Sequence, residues 1–160
     1  NLPGYRFESS GGDVDSVTGI DLSAGMLSQA SEKARSLGLS SAQLQLKTMD
    51  VENLAFADGS FDTVIDTYSL CVFSNPVAAM REIRRVCNKR GQVLLLENSI
   101  SDVAPIAAYQ RVTAPTVAKM GGKGCFYDQD PAAIAQAAGL TVTVNEPFAG
   151  GFLRRLEARP

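Results

Sequence analysis

Short apolar runs alternate with amphipathic stretches along the first hundred residues. Val17–Ile20 is β-branched and apolar and ends at Asp21, with Ser23 placed as a helix N-cap. Met26, Leu27, Ala30, Ala34 and Leu37 then recur at spacings of three and four before Gly38, which predicts a helix and its stop. Leu44 and Leu46 alternate with polar neighbours in a second strand, Leu44–Met49, ending near Asp50. Phe61–Asp66 reads as a third strand, entered through the turn Asp58-Gly59-Ser60. Asn75 caps and Pro76 opens a helix with Ala79, Met80, Ile83, Val86 and Cys87 on one face, and Gly91 is its expected stop. Val93–Leu96 is a continuous apolar run, the pattern of a central strand covered on both faces.

Strands and helices alternating at this interval predict an α/β fold with a mostly parallel sheet and crossover helices. Beyond Glu97 the pattern changes. Ile106–Met120 has helical spacing broken by Pro115, and Pro131–Ala138 is a short alanine-rich helix stopped by Gly139. Leu140–Val144 and Phe152–Glu157 are strand-like and joined by a loop containing Pro and Gly, which predicts a closing antiparallel pair. No internal repeat or linker interrupts the chain, so residues 1–160 are expected to form one domain, in keeping with the length.

Composition narrows the chemistry. A net charge of −2, from 15 Lys and Arg against 17 Asp and Glu, with no run of like charge, argues against a nucleic-acid partner. The absence of histidine removes Ser-His and Cys-His catalysis and the commonest zinc ligand, and no metal site is expected. Cys71, Cys87 and Cys125 fit no zinc or disulfide framework by spacing and read as three reduced thiols of an intracellular protein. No apolar stretch approaches the ~18 residues of a membrane span, so a soluble protein of the cytoplasm or mitochondrial matrix is expected. The first residue is Asn1 and not Met, which suggests that sequence upstream was removed or left out.

In open α/β sheets ligands bind at the carboxyl ends of the strands. Asp21, Asp50 and Asp66 stand at or near such ends. A carboxylate closing the second strand of a doubly wound fold can accept both hydroxyl hydrogens of a ribose; each acid singly reads as a cap or turn residue, and their repetition at successive strand ends favours a nucleoside-containing ligand.

The segment Val17-Thr18-Gly19-Ile20-Asp21-Leu22-Ser23, with Met26, Leu27 and Ala30, resembles the second strand and helix of class I S-adenosylmethionine-dependent methyltransferases. Asp50 through Val64 is similar to that family's cofactor-binding acid, following turn and fourth strand, and Arg81–Val86 with Gly91 and Leu94–Glu97 to its next helix and strand. Together these cover roughly half of the chain, in the family's order. Within the superfamily the likeness is to ubiquinone/menaquinone C-methyltransferases, bacterial phosphatidylethanolamine N-methyltransferases and methyltransferase-like proteins of mitochondria and endoplasmic reticulum. Gly122-Lys123-Gly124-Cys125, with Asp128 and Asp130, resembles the C-terminal part of the last group.

The resemblance implies a doubly wound, Rossmann-like sheet and S-adenosylmethionine as cofactor. Asp21 would hold the ribose, with Leu22 and Met26 beside the adenosine. Asp50 would accept from the adenine amino group and Val51 would cover the ring. Asp66, Thr67, Tyr68 and Ser69 would lie beside the methionine moiety and the acceptor, with Asp66 and Tyr68 as the catalytic candidates. Should the acceptor need deprotonation, Glu97 and Asp128 join those two.

The family's first strand and glycine-rich loop do not appear, and Asn1–Tyr5 looks like the sequence just after them. Residues 1–160 by themselves are therefore expected to hold the cofactor weakly or not at all. A sheet edge beside Val17–Ile20 or Thr63–Asp66 is expected to be covered by missing sequence or by a protein partner. The expected function is methyl transfer to a small-molecule or lipid-like acceptor. The alternative is a catalytically degenerate scaffold, a pseudoenzyme, inside a larger assembly such as a mitochondrial one. A nicotinamide-dependent oxidoreductase could also use Asp21, but it leaves the Asp50–Val64 block unexplained.

Overall fold

The computed structural model of the protein describes residues 2–120 and 124–160. Asn1, and Gly122 and Lys123 of the Gly122–Cys125 segment noted above, lie outside the described residues. Contacts divide the chain into two compact units, Asn1–Asn53 and Leu54–Pro160.

In the first unit, strand β1 (Val17–Asp21) pairs in parallel with β2 (Leu44–Thr48), and helix α1 (Ala24–Ser36) connects them and rests against both. The predicted N-cap is in place, with Ser23 Oγ accepting the Met26 N–H at 3.3 Å. Gly38, just past the helix, has φ +69°, a left-handed conformation that glycine adopts without steric cost. The register runs from Val17 opposite Leu44 to Asp21 opposite Thr48, so both strands finish together and carry their acids to one end.

The second unit contains β3 (Phe61–Thr67), α2 (Pro76–Val86), β4 (Cys87–Asn98), α3 (Ala104–Met120), α4 (Pro131–Ala137), β5 (Thr141–Phe148) and β6 (Leu153–Arg159). Its sheet has the order β3-β4-β6-β5, with β3 and β4 parallel and the other neighbours antiparallel. The closing antiparallel pair, β5 with β6, is as expected. Helix α2 packs on β4 and on α4, which in turn covers β5 and β6. Met80, Ile83, Val86, Val93, Leu95 and Leu156 are buried in the resulting core. The fold is α/β and Rossmann-like, with a mixed sheet.

Several details differ from the sequence reading. Val17–Ile20, Leu44–Met49, Thr63–Asp66 and Val93–Leu96 are not four parallel neighbours of one sheet. They pair two and two, because β1 and β3 each bond a single strand among the described residues. Val93 and Leu95 are buried, whereas Leu94 and Leu96 on the opposite face are half-buried, so β4 is covered fully on one side only. Gly91 does not stop α2, which ends at Val86; it lies inside β4, where an added Cβ would come within 2.6 Å of the Asp62 carbonyl and 2.8 Å of Cys87 Sγ. Pro115 does not break α3, which runs through it. Proline removes the hydrogen bond to the carbonyl of Arg111, and both residues are exposed, so water can satisfy that carbonyl.

Candidate functional site

The two acids of the first unit are shaped alike. Asp21 is the last residue of β1 and half-buried, and its Oδ1 accepts the Ser23 N–H at 2.8 Å. Asp50 follows β2 by two residues and is exposed, and its Oδ1 accepts the Glu52 N–H at 2.9 Å. Each side chain closes a turn onto the backbone two residues ahead, which fixes one carboxylate oxygen and keeps the group at the surface. The Met49 N–H donates to the Asp21 carbonyl at 3.2 Å, tying the two strand ends together. Leu22 and Met26 beside Asp21 are 69% and 54% exposed, unusually open for large apolar side chains, and Val51 beside Asp50 is half-buried. An oriented carboxylate next to exposed apolar side chains fits a ribose diol and a flat heteroaromatic ring. Asp21, Leu22, Met26, Asp50 and Val51 are thus gathered at one strand end.

The second unit holds a different arrangement. Asp66 lies near the end of β3 and Glu97 near the end of β4, where Val93, Leu95 and Glu97 share the covered face and Glu97 is fully buried. Glu97 accepts the Ser69 N–H at 3.4 Å and the Leu70 N–H at 3.2 Å, while Asp66 Oδ1 accepts from the Ser69 hydroxyl. The other Asp66 oxygen, Oδ2, is buried without a hydrogen-bond partner, and a proton carried by either carboxyl would give it one. Burial raises the Asp66 carboxyl above the ordinary range, against the lowering pull of Ser69, the Thr67 N–H and Glu97. Burial, and then the charge of Asp66, push Glu97 up to about 8, although backbone N–H groups of Tyr68, Ser69 and Leu70 favour its ionised form.

Tyr68 sits at the corner this pair supports. Its N–H donates to the Leu96 carbonyl at 2.9 Å, and its φ of +59° is a left-handed conformation that costs a non-glycine residue energy. The ring is half exposed and Thr67 is exposed. Asp66, Thr67, Tyr68 and Ser69 therefore form one corner with Glu97 buried beneath it. Asp128, the remaining proton-acceptor candidate, is half-buried.

In the sequence Glu97 is one proton-acceptor candidate among four, although its period-two relation to Val93 and Leu95 signals burial. Arg85 is not among the candidates. That guanidinium bonds the Leu54 and Phe56 carbonyls, Asp58 and both oxygens of Glu82 at 2.7–2.8 Å, fastening the turn before β3 to α2. Glu82 also accepts the Leu54 N–H, and bonding to Arg85 holds its carboxyl below the ordinary value. Spacing alone gave no sign that Cys71 and Cys125 meet, yet their sulfurs are 2.7 Å apart, both as free thiols. Among the described residues no group of three or more metal-binding side chains occurs, and no helix is long and apolar enough to cross a membrane.

Residues 5–95 match the family model described as a methyltransferase domain. The chain is 38% identical over 98 residues to a phosphatidylethanolamine N-methyltransferase of Cereibacter sphaeroides, covering 61% of this chain and 48% of that one. It is 33% identical over 107 residues to the ubiquinone/menaquinone biosynthesis C-methyltransferase UbiE of Bdellovibrio bacteriovorus, covering 66% and 44%. The chain thus spans about half the length of the curated relatives it matches. In structure it is similar to the [4+2]-cyclase SpnF, with a TM-score of 0.73 at 18% identity over 90% of this chain and 65% of that one. It is also similar to a SAM-dependent methyltransferase of Aquifex aeolicus, with a TM-score of 0.62 at 16% identity over 89% and 68%. These likenesses concern the fold. By its residues 5–95 the chain belongs to the methyltransferase domain family, whose cofactor is S-adenosylmethionine.

Proposed function

We propose that residues 1–160 form a single methyltransferase-like domain of an enzyme that transfers a methyl group to a small-molecule or lipid-like acceptor. The observation that carries this reading is the half-buried Asp21 carboxylate, held by the Ser23 N–H and flanked by exposed Leu22 and Met26. Asp21 binds the ribose hydroxyls, Leu22 and Met26 flank the adenosine, Asp50 accepts from the adenine amino group and Val51 covers the ring. When bound, S-adenosylmethionine supplies an activated methyl carbon, which leaves alignment and exclusion of water to the protein. Thr67 and Ser69 line the methionine end, and Tyr68 orients the acceptor. Asp66 takes the proton where the acceptor must lose one, becoming the neutral acid.

The acceptor class is supported by the two curated relatives, whose names refer to a phospholipid and to quinones, and by the absence of a basic patch in this chain. A protein segment or partner chain adding a strand to the edge of β1 or β3 that is unpaired among the described residues would complete the sheet hydrogen bonding there. Incubating the full protein with S-adenosylmethionine labelled in its methyl group, and with either phosphatidylethanolamine or a demethylated quinol, tests the reading. Label in one acceptor, lost in Asp21→Ala, is expected. A protein that binds the cofactor but labels neither class would overturn the assignment of the acceptor.

A further inference from the structure

We propose that Cys71 and Cys125 are a site of reversible covalent modification, closing to an intramolecular disulfide in the presence of a small-molecule disulfide oxidant such as oxidised glutathione. The inference does not depend on methyl transfer. Cys71 lies in the 3₁₀ turn Leu70–Val72 that follows β3, and Cys125 lies between α3 and α4. The two are 54 residues apart in sequence, but the Phe126 N–H donates to the Cys71 carbonyl at 2.8 Å and holds the two segments side by side. The side chains converge from there: Sγ to Sγ is 2.7 Å, within an ångström of the S–S bond length of about 2.05 Å. Asn98 reaches the same spot from the end of β4, its Nδ2 lying 3.4 Å from Cys71 Sγ and 3.9 Å from Cys125 Sγ.

Exposure sets the order of events. Cys71 is buried, at 3% exposure, while Cys125 is partly exposed and is the thiol an oxidant can reach. Cys125 loses its proton to solvent and attacks one sulfur of the oxidant; that S–S bond breaks, a mixed disulfide forms at Cys125, and the first small thiol leaves. The Cys71 thiol loses its proton and attacks Cys125 Sγ, expelling the second small thiol. Two protein thiols are thereby oxidised by two electrons, and one small disulfide is reduced to two thiols. Burial, the adjoining Cys71 thiol and the charge of Glu97 push the Cys125 thiol up to about 12, so the exchange is slow at neutral pH. Cys87 is a built-in control, since it is buried elsewhere and donates to the Gln92 carbonyl at 3.6 Å.

The test incubates the intact protein with oxidised glutathione at mildly alkaline pH and reads mass, free thiols and a non-reducing peptide map. The expected product has lost two hydrogens, about 2 Da, retains one of its three thiols, and yields a Cys71–Cys125 cross-linked peptide that dithiothreitol cleaves. Cys87→Ser should give the same cross-link, and Cys71→Ser should stop at a glutathione adduct on Cys125. Closing a loop of this length should also raise the thermal midpoint by about 5 °C or more. Three free thiols after prolonged exposure, a stable adduct on Cys125 in the wild type, a bond involving Cys87, or a lowered midpoint would overturn the proposal.

Discussion

Four acids stand near the carboxyl ends of two separate parallel strand pairs, and they divide into two kinds. Asp21 and Asp50, after β1 and β2, stay near the surface, each held by one backbone N–H two residues ahead. Asp66 and Glu97, on β3 and β4, form a pair in which Glu97 is fully buried and Asp66, half-buried as a residue, has its Oδ2 enclosed, with Glu97 accepting backbone N–H groups of the corner at Tyr68. The residue type and the place on the strand are similar, and the covered or open face decides the outcome. A carboxylate on an open end is free to meet a ligand, whereas one on a covered face must find partners inside or take up a proton.

The sharpest way to break this contrast is to truncate the buried acid. Glu97→Ala leaves the N–H groups of Ser69 and Leu70 without their acceptor and opens a hole beneath Tyr68, so a loss of about 3–4 kcal/mol is expected in urea unfolding. Glu97→Gln keeps one acceptor oxygen for one of the two N–H groups, so it should lose less than the alanine variant, about 1–2 kcal/mol. Equal losses from the two variants would mean that the hydrogen bonds to the corner are unimportant.

A pH series separates the two regions next. Folding raises both carboxyls of the pair, so the folded state binds more protons than the unfolded chain between the ordinary carboxylate range and about pH 8. The stabilisation from this uptake is complete at the acidic end of that window and is lost as pH rises through it, by about 1–3 kcal/mol. Glu97→Gln should flatten the slope. A profile that Glu97→Gln leaves unaltered would remove the pair as its source. The smallest effect belongs to the open end: Ser23→Ala removes the cap of α1 and should cost about 1 kcal/mol, read from the same unfolding curves.

Local chemistry explains how much of this was legible in the sequence. The caps at Ser23 and Asn75, the strands at Val17 and Phe61 and the closing antiparallel pair follow from short-range pattern. So does the grouping of Asp21 with Asp50, because equal strand ends in a parallel pair bring them together. What was not legible depends on tertiary contact. Gly91 looks like a helix stop until Asp62 and Cys87 are seen to leave no room for a Cβ. Pro115 looks like a break until it and Arg111, whose carbonyl it leaves unbonded, are seen on the solvent side of the helix. Cys71 and Cys125 become neighbours only through a backbone hydrogen bond across 54 residues. Glu97 was half legible, since alternation places it on the buried face but does not identify Asp66 as its partner.

The central claim is that the open carboxylate of the first unit binds cofactor while the buried pair of the second shapes the corner. Calorimetric titration of S-adenosylmethionine into the full protein, Asp21→Ala and Glu97→Gln tests it most directly. Asp21→Ala should bind about 5- to 150-fold more weakly, the scale of 1–3 kcal/mol for hydrogen bonds to a charged group, and Glu97→Gln should bind within about threefold of wild type. A folded Asp21→Ala protein that binds as tightly as wild type would contradict the account.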